Sequence, residues 1–304
     1  MIVVFGSLNA DFVFECETAP REGETVRADA FRLESGGKGA NQAAAAARDG
    51  AEVAMIGAVG RDATGDGLLA ALRDAGVDVS AVARADAPTG CAGITVDRSG
   101  ANRILVCGGA NDAARADMIP EDLLRRASHL VLQMEVPVDE IVAAIARARS
   151  AGVRVVLNLA PARPIPLEAL RACDLLVVNE SEAAALAARS GDGATAASPA
   201  ADTAVALRDA LGIDVVRTLG ADGLEAAVAA STVRLAARRI VAVDTTAAGD
   251  CFVGVLVAAL DRGADVAAAL ERATAAAALA CTQRGCQSSL PSRTATDAFL
   301  ASPR

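Results

Sequence analysis

The alternation of short β-branched segments with alanine-rich helical segments constrains this chain more than any other feature. Apolar runs typical of buried strands occur at 2–5, 53–56, 130–132, 153–157, 175–178 and 214–218. Helical segments occur at 41–48, 65–74, 139–150, 167–171, from 181, at 204–211, from 248 to about 260 and at 266–282. Strands that alternate with helices build a parallel sheet covered on both faces. The pattern predicts a doubly wound α/β fold with a mainly parallel sheet flanked by helices.

Two regions, about 11–33 and 88–107, interrupt this alternation because neither has a helical period. Both have the character of strands joined by turns, at 20–23 and at 97–100. We predict that they form a small β-sheet, which could be a lid, an oligomer interface or both, or a β-insertion without a role in function. All 304 residues are predicted to form one domain that carries this lid. The alanine-rich stretch 192–202 predicts an exposed loop.

The charge and the aromatic content exclude several classes of function. A formal net charge of −9 lacks the basic footprint of a nucleic-acid binder, and 2% aromatic residues leave almost no stacking surface for bases. Because His129 is the only histidine, a multi-histidine metal site is impossible. A Ser-His-Asp triad would have to use His129, which we expect to be structural.

The cysteines and the apolar segments predict a cytoplasmic protein. The seven cysteines are scattered and form no C-x-x-C motif, which is typical of free thiols in a reducing compartment. The first residues, MIVVFGSLNAD, do not look like a signal peptide. The apolar stretch 251–260 is bounded by aspartates and is shorter than the roughly 20 residues that span a bilayer.

The strongest local signal for chemistry is V-D-T-T-A-A-G-D at 243–250, followed by an apolar helix. The N–H groups of Ala247, Ala248 and Gly249 would lie at a helix N-terminus, where they can bind an anion. Asp250 beside such an anion hole suggests a general base, as phosphoryl transfer to a hydroxyl requires. An ordinary helix cap at Asp250 is the alternative.

Two further segments suggest a ligand site. S-G-G-K-G-A-N-Q at 35–42 opens a helix and allows close approach of a ligand, although a flexible turn is an equal alternative and the P-loop spacing is absent. Asn9 and Asp11 follow the first strand, and ligands bind at the carboxyl ends of strands in open α/β sheets. A dinucleotide fingerprint would need three glycines there, and only Gly6 is present, which disfavours an NAD enzyme.

Seven motifs together carry a resemblance to a known family. They are N-A-D at 9–11, G-G-K-G-A-N-Q at 36–42, G-A-N at 109–111, A-P-A at 160–162, N-E-S-E-A at 179–183, T-L-G-A-D-G at 218–223 and D-T-T-A-A-G-D at 244–250. In this order, over essentially the whole chain, they resemble the PfkB family of carbohydrate kinases. The first three point to its ribokinase branch.

The resemblance implies roles for individual residues. A pentose would be bound or bordered by Asn9, Asp11, Gly37, Lys38, Asn41 and Glu135, and covered by Ala92 and Val106 of the lid. Asp250 would deprotonate the C5 hydroxyl beside the anion hole of Ala247, Ala248 and Gly249. ATP would be faced by Asn179, Thr218, Gly220, Gly249 and Thr274, with Glu182 near magnesium. A potassium ion would be held by Asp244, Thr246, Ala280, Gln283, Gly285 and Ser289.

The activity implied is ATP-dependent phosphorylation of D-ribose at O5, in a homodimer formed through the lid sheet. Alternatives within the family are kinases for fructose, deoxyribose or a nucleoside. A catalytically silent sugar-binding protein on the same fold is a further alternative.

Lys38 is the only lysine among 29 basic side chains, and it lies inside G-G-K-G-A-N. The scarcity of lysine has the character of a codon bias. Because we expect the larger guanidinium of arginine to fit poorly beside three glycines, the surviving lysine predicts a side chain that lines the cleft for sugar and phosphate.

Overall fold

The computed structural model describes residues 1–189, 203–228 and 231–302, and the predicted loop at 192–202 therefore lies outside the described residues. The strands are β1 (Ile2–Phe5), β2 (Asn9–Cys16), β3 (Ala30–Gly36), β4 (Val53–Gly60), β5 (Val82–Ala85), β6 (Gly90–Asp97), β7 (Asn102–Cys107), β8 (His129–Leu132), β9 (Arg154–Asn158), β10 (Leu175–Asn179), β11 (Asp214–Thr218), β12 (Leu224–Val228) and β13 (Ser231–Leu235). The α-helices are α1 (Lys38–Arg48), α2 (Ala63–Asp74), α3 (Glu121–Arg126), α4 (Val138–Ser150), α5 (Leu167–Arg171), α6 (Glu180–Arg189), α7 (Thr203–Leu211), α8 (Ala248–Asp261), α9 (Val266–Ala280) and α10 (Arg293–Ala301). Of the helices in these ranges, none has the length and apolarity needed to cross a membrane.

The main sheet has nine strands in the order β13-β12-β11-β10-β9-β8-β1-β4-β5. Every pair from β11 to β5 is parallel, and β12 and β13 add antiparallel strands at one edge. The predicted fold class, a mainly parallel sheet between helices, is confirmed.

The two faces of β1 show why its sequence is entirely apolar. Ile2 and Val4 pack into a core formed with α1, α2, α8 and α9, whereas Val3 and Phe5 pack into a second core with α3 to α7. A parallel strand covered on both faces cannot alternate apolar and polar residues, because each residue faces helices. Strand β1 therefore lies at the centre of two cores rather than one.

Two helices begin two or three residues before their predicted starts, and the other predicted helix starts agree within one residue. Helix α1 begins at Lys38 instead of 41, and α2 begins at Ala63 instead of 65. In α2 the side chain of Asp62 accepts a hydrogen bond from the N–H of Gly65, so the cap lies before the first residue with a helical period. The predicted helix at 266–282 ends at Ala280.

Four strands form the predicted lid sheet, in the order β3-β2-β6-β7. The central pair, β2 and β6, is parallel, and its strands come from the two regions that are far apart in the sequence. One face of this sheet carries Asp11, Val13, Ile94 and Val106, as the strand register requires. The opposite face carries exposed aromatic and aliphatic side chains, including Phe31 and Leu105. The lid predicted from 11–33 and 88–107 is thereby confirmed as a separate sheet.

Candidate active site

Polar side chains gather at the carboxyl edge of the main sheet, where open α/β sheets bind ligands. Asn179 and Thr218 are paired in register as the last residues of β10 and β11. Glu135 lies three residues after β8. Helix α1 begins at the same edge, because the N–H of Ala40 donates to the carbonyl of Ser7, two residues after β1.

The carboxylate of Asp250 is buried between α8 and α1. Its Oδ2 accepts a hydrogen bond from Nδ2 of Asn41 at 3.0 Å, and its Oδ1 accepts from Nε2 of Gln42 at 2.9 Å. The N-cap of α8 is Ala247, which lies three residues before Asp250. Asp250 is therefore not the cap of α8, and the alternative of an ordinary helix cap is wrong.

Ala247 has a strained backbone at the predicted anion hole. Of the described residues other than glycine, it alone has a positive φ, 59°, a conformation that costs an alanine about 1–2 kcal/mol. Strain of this kind persists where the surrounding structure imposes it, often at functional sites. The next residues, Ala248 to Asp250, form the first turn of α8, where the N–H of Ala248 also donates a long hydrogen bond of 3.3 Å to the carbonyl of Thr245. The first N–H groups of a helix have no partner within the helix and face along its axis. The geometry suits an anion at this helix end.

Helix α1 starts beside Glu135, which ties it to the end of β8. Gly37 precedes the helix with φ 87°, which glycine adopts without strain. Oε2 of Glu135 accepts hydrogen bonds from the N–H of Lys38 at 3.0 Å and from Oγ of Ser7 at 2.6 Å. The G-G-K-G segment is therefore an ordered helix start in contact with two strand ends, and the flexible turn proposed as an alternative is wrong.

The ammonium group of Lys38 lies among carboxylates. Attraction to Asp250 is the largest effect and raises the pKa of Lys38, while burial opposes this shift. Glu135, Glu182 and Asp11 raise the pKa further. The one lysine of the chain is thus attracted to four acids that come from different elements.

Asn41 offers an acceptor to a ligand. Its Nδ2 donates to Asp250, but its buried Oδ1 has no hydrogen-bond partner within the described ranges. Buried polar atoms without a partner are rare, and a ligand hydroxyl would satisfy this one.

Asn9 is held in place by the G-A-N motif. Nδ2 of Asn111 donates to Oδ1 of Asn9 at 2.7 Å, and Oδ1 of Asn111 accepts from the N–H of Leu8 at 2.9 Å. All three residues are buried. The sequence singled out the motif, and the contact shows that Asn111 orients Asn9.

Asp11 is a buried acid on the lid face. Burial raises the pKa of Asp11 to about 6, the thiol of Cys286 lowers it through a hydrogen bond at 3.5 Å, and Glu135, Glu34 and Asp250 raise it again. In the lid register, Asp11 is paired with Ala92, which is in turn paired with Val106. The three residues predicted to face the sugar therefore share one face of the lid, with Ala92 buried and Val106 60% exposed.

The N-E-S-E segment forms a capping box at the start of α6. Oδ1 of Asn179 accepts from the N–H of Glu182, and Oε2 of Glu182 accepts from the N–H of Asn179, both at 2.8 Å. Burial raises the pKa of Glu182, against the Asn179 hydrogen bond and Lys38, while Asp250 adds to the increase. In the described part of the chain, no three His, Cys, Asp or Glu side chains are grouped to hold a metal ion. Magnesium usually keeps several waters and binds through one or two carboxylates plus phosphates, so a lone Glu182 fits it.

The other predicted nucleotide residues are less closely grouped. Oγ1 of Thr218 donates to the carbonyl of Val178 at 3.4 Å, and Gly220 is exposed just beyond β11. Thr274 lies on α9, where its hydroxyl donates to Leu270 within the same helix. The roles of these three residues toward ATP stay predictions.

The predicted cation residues meet where two loops are joined. Oδ1 of Asp244 accepts from the N–H and Oγ1 of Thr246, and Oδ2 accepts from the N–H of Gly285 at 3.1 Å. Burial raises the pKa of Asp244, but these hydrogen bonds outweigh it and the pKa is lowered.

The rest of the second loop is also ordered. The N–H of Gln283 donates to the carbonyl of Ala280 at 3.1 Å, and Oγ of Ser289 donates to Cys286 at 2.9 Å. Carboxylate, hydroxyl and carbonyl oxygens are the donors that hard cations prefer, so this residue set fits potassium.

A cleft of about 730 Å³ lies between the lid face and the loop at 242–246. Val13, Ile94 and Ile104 line it from the lid. Across the end of the cleft, Glu34 accepts a hydrogen bond from the N–H of Cys286 at 2.9 Å. The lid is thus tied to the predicted cation loop and borders open space.

Sequence reasoning missed several residues of this site. Ser7, Gln133 and Asn158 follow or end strands, yet each is a single polar residue without a motif of its own. Gln42 stands inside G-G-K-G-A-N-Q, and it was given no role although that motif was the available signal. Cys286 stands in no motif of its own, yet its N–H donates to Glu34 and its thiol donates to Asp11.

Comparison with known proteins identifies the family. The pfkB family carbohydrate kinase pattern matches residues 1–293. A ribokinase of Schizosaccharomyces pombe is 36% identical over 301 residues, covering 96% of this chain and 95% of the relative. A deoxyribokinase of Salmonella typhi is 35% identical and covers 96% of this chain and 95% of the relative.

Solved structures agree with this relationship. Arabidopsis thaliana ribokinase, complexed with ribose and ATP, superposes with a TM-score of 0.88 at 32% identity and covers 99% of both chains. The chain belongs to the PfkB family of carbohydrate kinases.

Proposed function

We propose that this protein phosphorylates D-ribose at O5, with ATP as the donor and ADP and D-ribose 5-phosphate as products. One observation carries the proposal. The buried carboxylate of Asp250 stands in the first turn of α8, beside the strained Ala247 and opposite Asn41, at the sheet edge that binds ligands. A base and an anion hole are therefore adjacent, as phosphoryl transfer to an alcohol requires.

In the reaction, Asp250 takes the proton of the C5 hydroxyl while the hydroxyl oxygen forms its bond to the γ-phosphorus. The bond from that phosphorus to the bridging oxygen breaks, and ADP leaves with its electron pair. The N–H groups of Ala247, Ala248 and Gly249 stabilise charge on the transferring group. Lys38 balances the carboxylates around it and limits their mutual repulsion.

The sugar is held by hydrogen-bonding groups from two sides. Asn41 offers an amide from α1, whereas Asn9 and Asp11 of β2 offer an amide and a carboxylate from the lid. Glu135 and Gly37 border the same space at the start of α1. Ala92 and Val106 cover the apolar side of the sugar. Carboxylates and amides together match the donors and acceptors of vicinal hydroxyls.

ATP lies across the ends of β10 and β11 in this proposal, facing Asn179, Thr218, Gly220 and Gly249, with Thr274 toward the base. Glu182 would lie near magnesium, which would neutralise charge on the phosphates. The oxygens of 244–246 and 280–289 would hold potassium, which would support the loop that leads to Ala247.

The exposed apolar surface of the lid supports a homodimer, and the free thiols support a cytoplasmic location. The lid face opposite the cleft exposes Phe14, Phe31, Leu33 and Leu105, an apolar area that a second lid sheet would cover in a homodimer. All seven cysteines are free, which suits the reducing cytoplasm.

Turnover over a panel of sugars, measured by coupled release of ADP with and without potassium, tests the proposal. We expect ribose to give the highest kcat/KM, since one hydrogen-bonding group can change preference by about 10⁴-fold. Deoxyribose is the specific alternative, because a relative of equal similarity is a deoxyribokinase. Preference for deoxyribose, fructose or a nucleoside would contradict the substrate, and absence of turnover on every sugar would favour a silent sugar-binding protein.

Replacement of Lys38 by arginine is expected to reduce kcat/KM by about 10²-fold, because displacement of a positioned charge by about 1 Å has an effect of this size. The charge is retained, so unfolding should change little. Steady-state kinetics and thermal unfolding of Lys38→Arg separate the two effects. An equal loss of turnover and stability would indicate that Lys38 is structural only.

A further inference from the structure

Three buried amide side chains are linked to Asp250 by hydrogen bonds, directly or through one another. Gln42 and Gln133 are completely buried, and Asn158 is 7% exposed. Gln42 lies in α1, Gln133 directly follows β8, and Asn158 ends β9. Burial of three amides next to a carboxylate is costly unless their polar atoms are paired. The hydrogen-bond partners of the three amides therefore indicate their role.

Gln42 is the centre of this group. Its Nε2 donates to Oδ1 of Asp250 at 2.9 Å and to Oδ1 of Asn158 at 3.0 Å. Its Oε1 accepts from Nε2 of Gln133 at 2.7 Å. All three partners are buried side chains, so water does not compete for these bonds.

The orientation of the Gln42 amide is fixed by a chain of contacts that starts at the main sheet. Nδ2 of Asn158 donates to the carbonyl of Val177 at 3.2 Å. A carbonyl can only accept, so Asn158 must point its oxygen at Gln42. Gln42 must then present its nitrogen to Asn158 and to Asp250, and its oxygen to Gln133. A rotated amide would set oxygen against the carboxylate.

Gly6 makes room for this arrangement. A Cβ at position 6 would lie 1.9 Å from Oε1 of Gln133 and 3.1 Å from Cα of Gly39. Any larger residue would therefore push Gln133 away from Gln42. Gly6 is the one glycine present where a dinucleotide fingerprint would need three, and the structure gives it this packing role.

We infer that Gln42 is a positioning residue that holds the carboxylate of Asp250 for proton transfer, with Gln133 and Asn158 as its supports. Gln42 occupies Oδ1, and Asn41, the residue with a free acceptor toward a ligand, binds Oδ2. Each carboxylate oxygen thus accepts one bond, and the remaining lone pair of Oδ2, beside the unpartnered Oδ1 of Asn41, receives the proton of the sugar hydroxyl in this role. This role rests on the proposed function of Asp250 as the base.

Two substitutions test the role of Gln42. Gln42→Met removes the donor at similar length, and we expect kcat to fall by about 10²-fold with KM for the sugar changed by less than about threefold. Gln42→Glu sets a second carboxylate against Oδ1, and we expect the acidic limb of the kcat–pH profile to move up by about one unit or more. Gln133→Met is the matched control. This variant removes a buried amide of the same size that is one hydrogen bond further from Asp250, and kcat should fall by about tenfold or less.

A double-mutant cycle separates positioning from packing. Because Gln42 acts through Asp250, Gln42→Met should reduce the residual kcat of Asp250→Asn by less than about twofold. Each rate is normalised to the sites that bind sugar in titration calorimetry, which removes any loss of folded protein. Two results would overturn the inference when the wild type is active. One is an unchanged kcat in Gln42→Met, and the other is a reduction by Gln42→Met in the Asp250→Asn background that is as large as its reduction in the wild type. An inactive wild type would instead overturn the proposed function, and this role with it.

Discussion

Asp250→Asn is expected to reduce kcat by about 10²–10⁴-fold, the range that a positioned general base contributes. The amide cannot accept the proton of the sugar hydroxyl, whereas the helix start at Ala247 stays available to the phosphate. The KM values for sugar and ATP should therefore change much less than kcat. Steady-state kinetics at saturating sugar and ATP, over several pH values, measure the effect.

The variant also disturbs two hydrogen bonds, which the experiment must take into account. Asn41 and Gln42 both donate to Asp250, and an asparagine amide turns its NH2 group toward one of these donors. Sugar binding by calorimetry counts the intact sites. Asp74→Asn, which neutralises an exposed carboxylate at the end of α2, provides a control for the loss of one charge. A kcat of Asp250→Asn close to that of the control would refute the assignment of the base.

Much of the fold could be predicted because parallel strands are short apolar runs separated by helices. Two of the strands that sequence reasoning missed, β12 and β13, are of another kind. β12 reads L-E-A-A-V, with two alanines where a strand usually has β-branched residues, and among the described strands β13 pairs with β12 alone. They are strands because β11 offers an open sheet edge to which β12 adds. That edge exists only once the sheet has formed, so a local pattern cannot indicate it.

The residues of the candidate site also divide into those that local patterns predict and those that only the packing brings together. Lys38, Asn41 and Asp250 were predicted because they lie in two motifs, G-G-K-G-A-N-Q and D-T-T-A-A-G-D, each of which groups its residues within a few positions. Gln133 and Asn158 meet Gln42 from β8 and β9, 91 and 116 positions along the chain. A single glutamine after a strand looks like any other polar strand end. The contact partners of such residues are set by the packing of α1 on the sheet. A local sequence pattern does not indicate which distant residues this packing brings together.

Asp11→Asn is expected to weaken sugar binding and to stabilise the folded protein. The carboxylate of Asp11 is 8% exposed, and its pKa is raised to about 6, mainly by burial. Loss of the charged acceptor should reduce sugar affinity by about tenfold or more. The same substitution removes a buried charge that lies near the carboxylates of Glu135, Glu34 and Asp250.

The sign of the stability change follows from linkage. With a pKa of about 6 in the folded state, against 3.8 for an unperturbed aspartate, the folded protein binds a proton more tightly than the unfolded chain between these values. The free energy of unfolding therefore falls as the pH rises from about 4 to 6, by up to about 3 kcal/mol at 1.36 kcal/mol per pKa unit. Asparagine does not ionise, so Asp11→Asn should gain up to this amount at pH 7.5 and little at pH 4.

Urea unfolding at pH 4.5 and 7.5, together with sugar titration at pH 7.5, measures both effects in one variant. Asp74→Asn, whose carboxylate is exposed, should show no such pH-dependent gain. Because Cys286 donates its thiol hydrogen to Asp11 and opposes the increase in the pKa, Cys286→Ala should extend the unstable range to higher pH. A gain in stability that is equal at both pH values would show that burial of the Asp11 charge is not its cause. A stable Asp11→Asn variant that binds sugar as tightly as wild type would remove Asp11 from the sugar site.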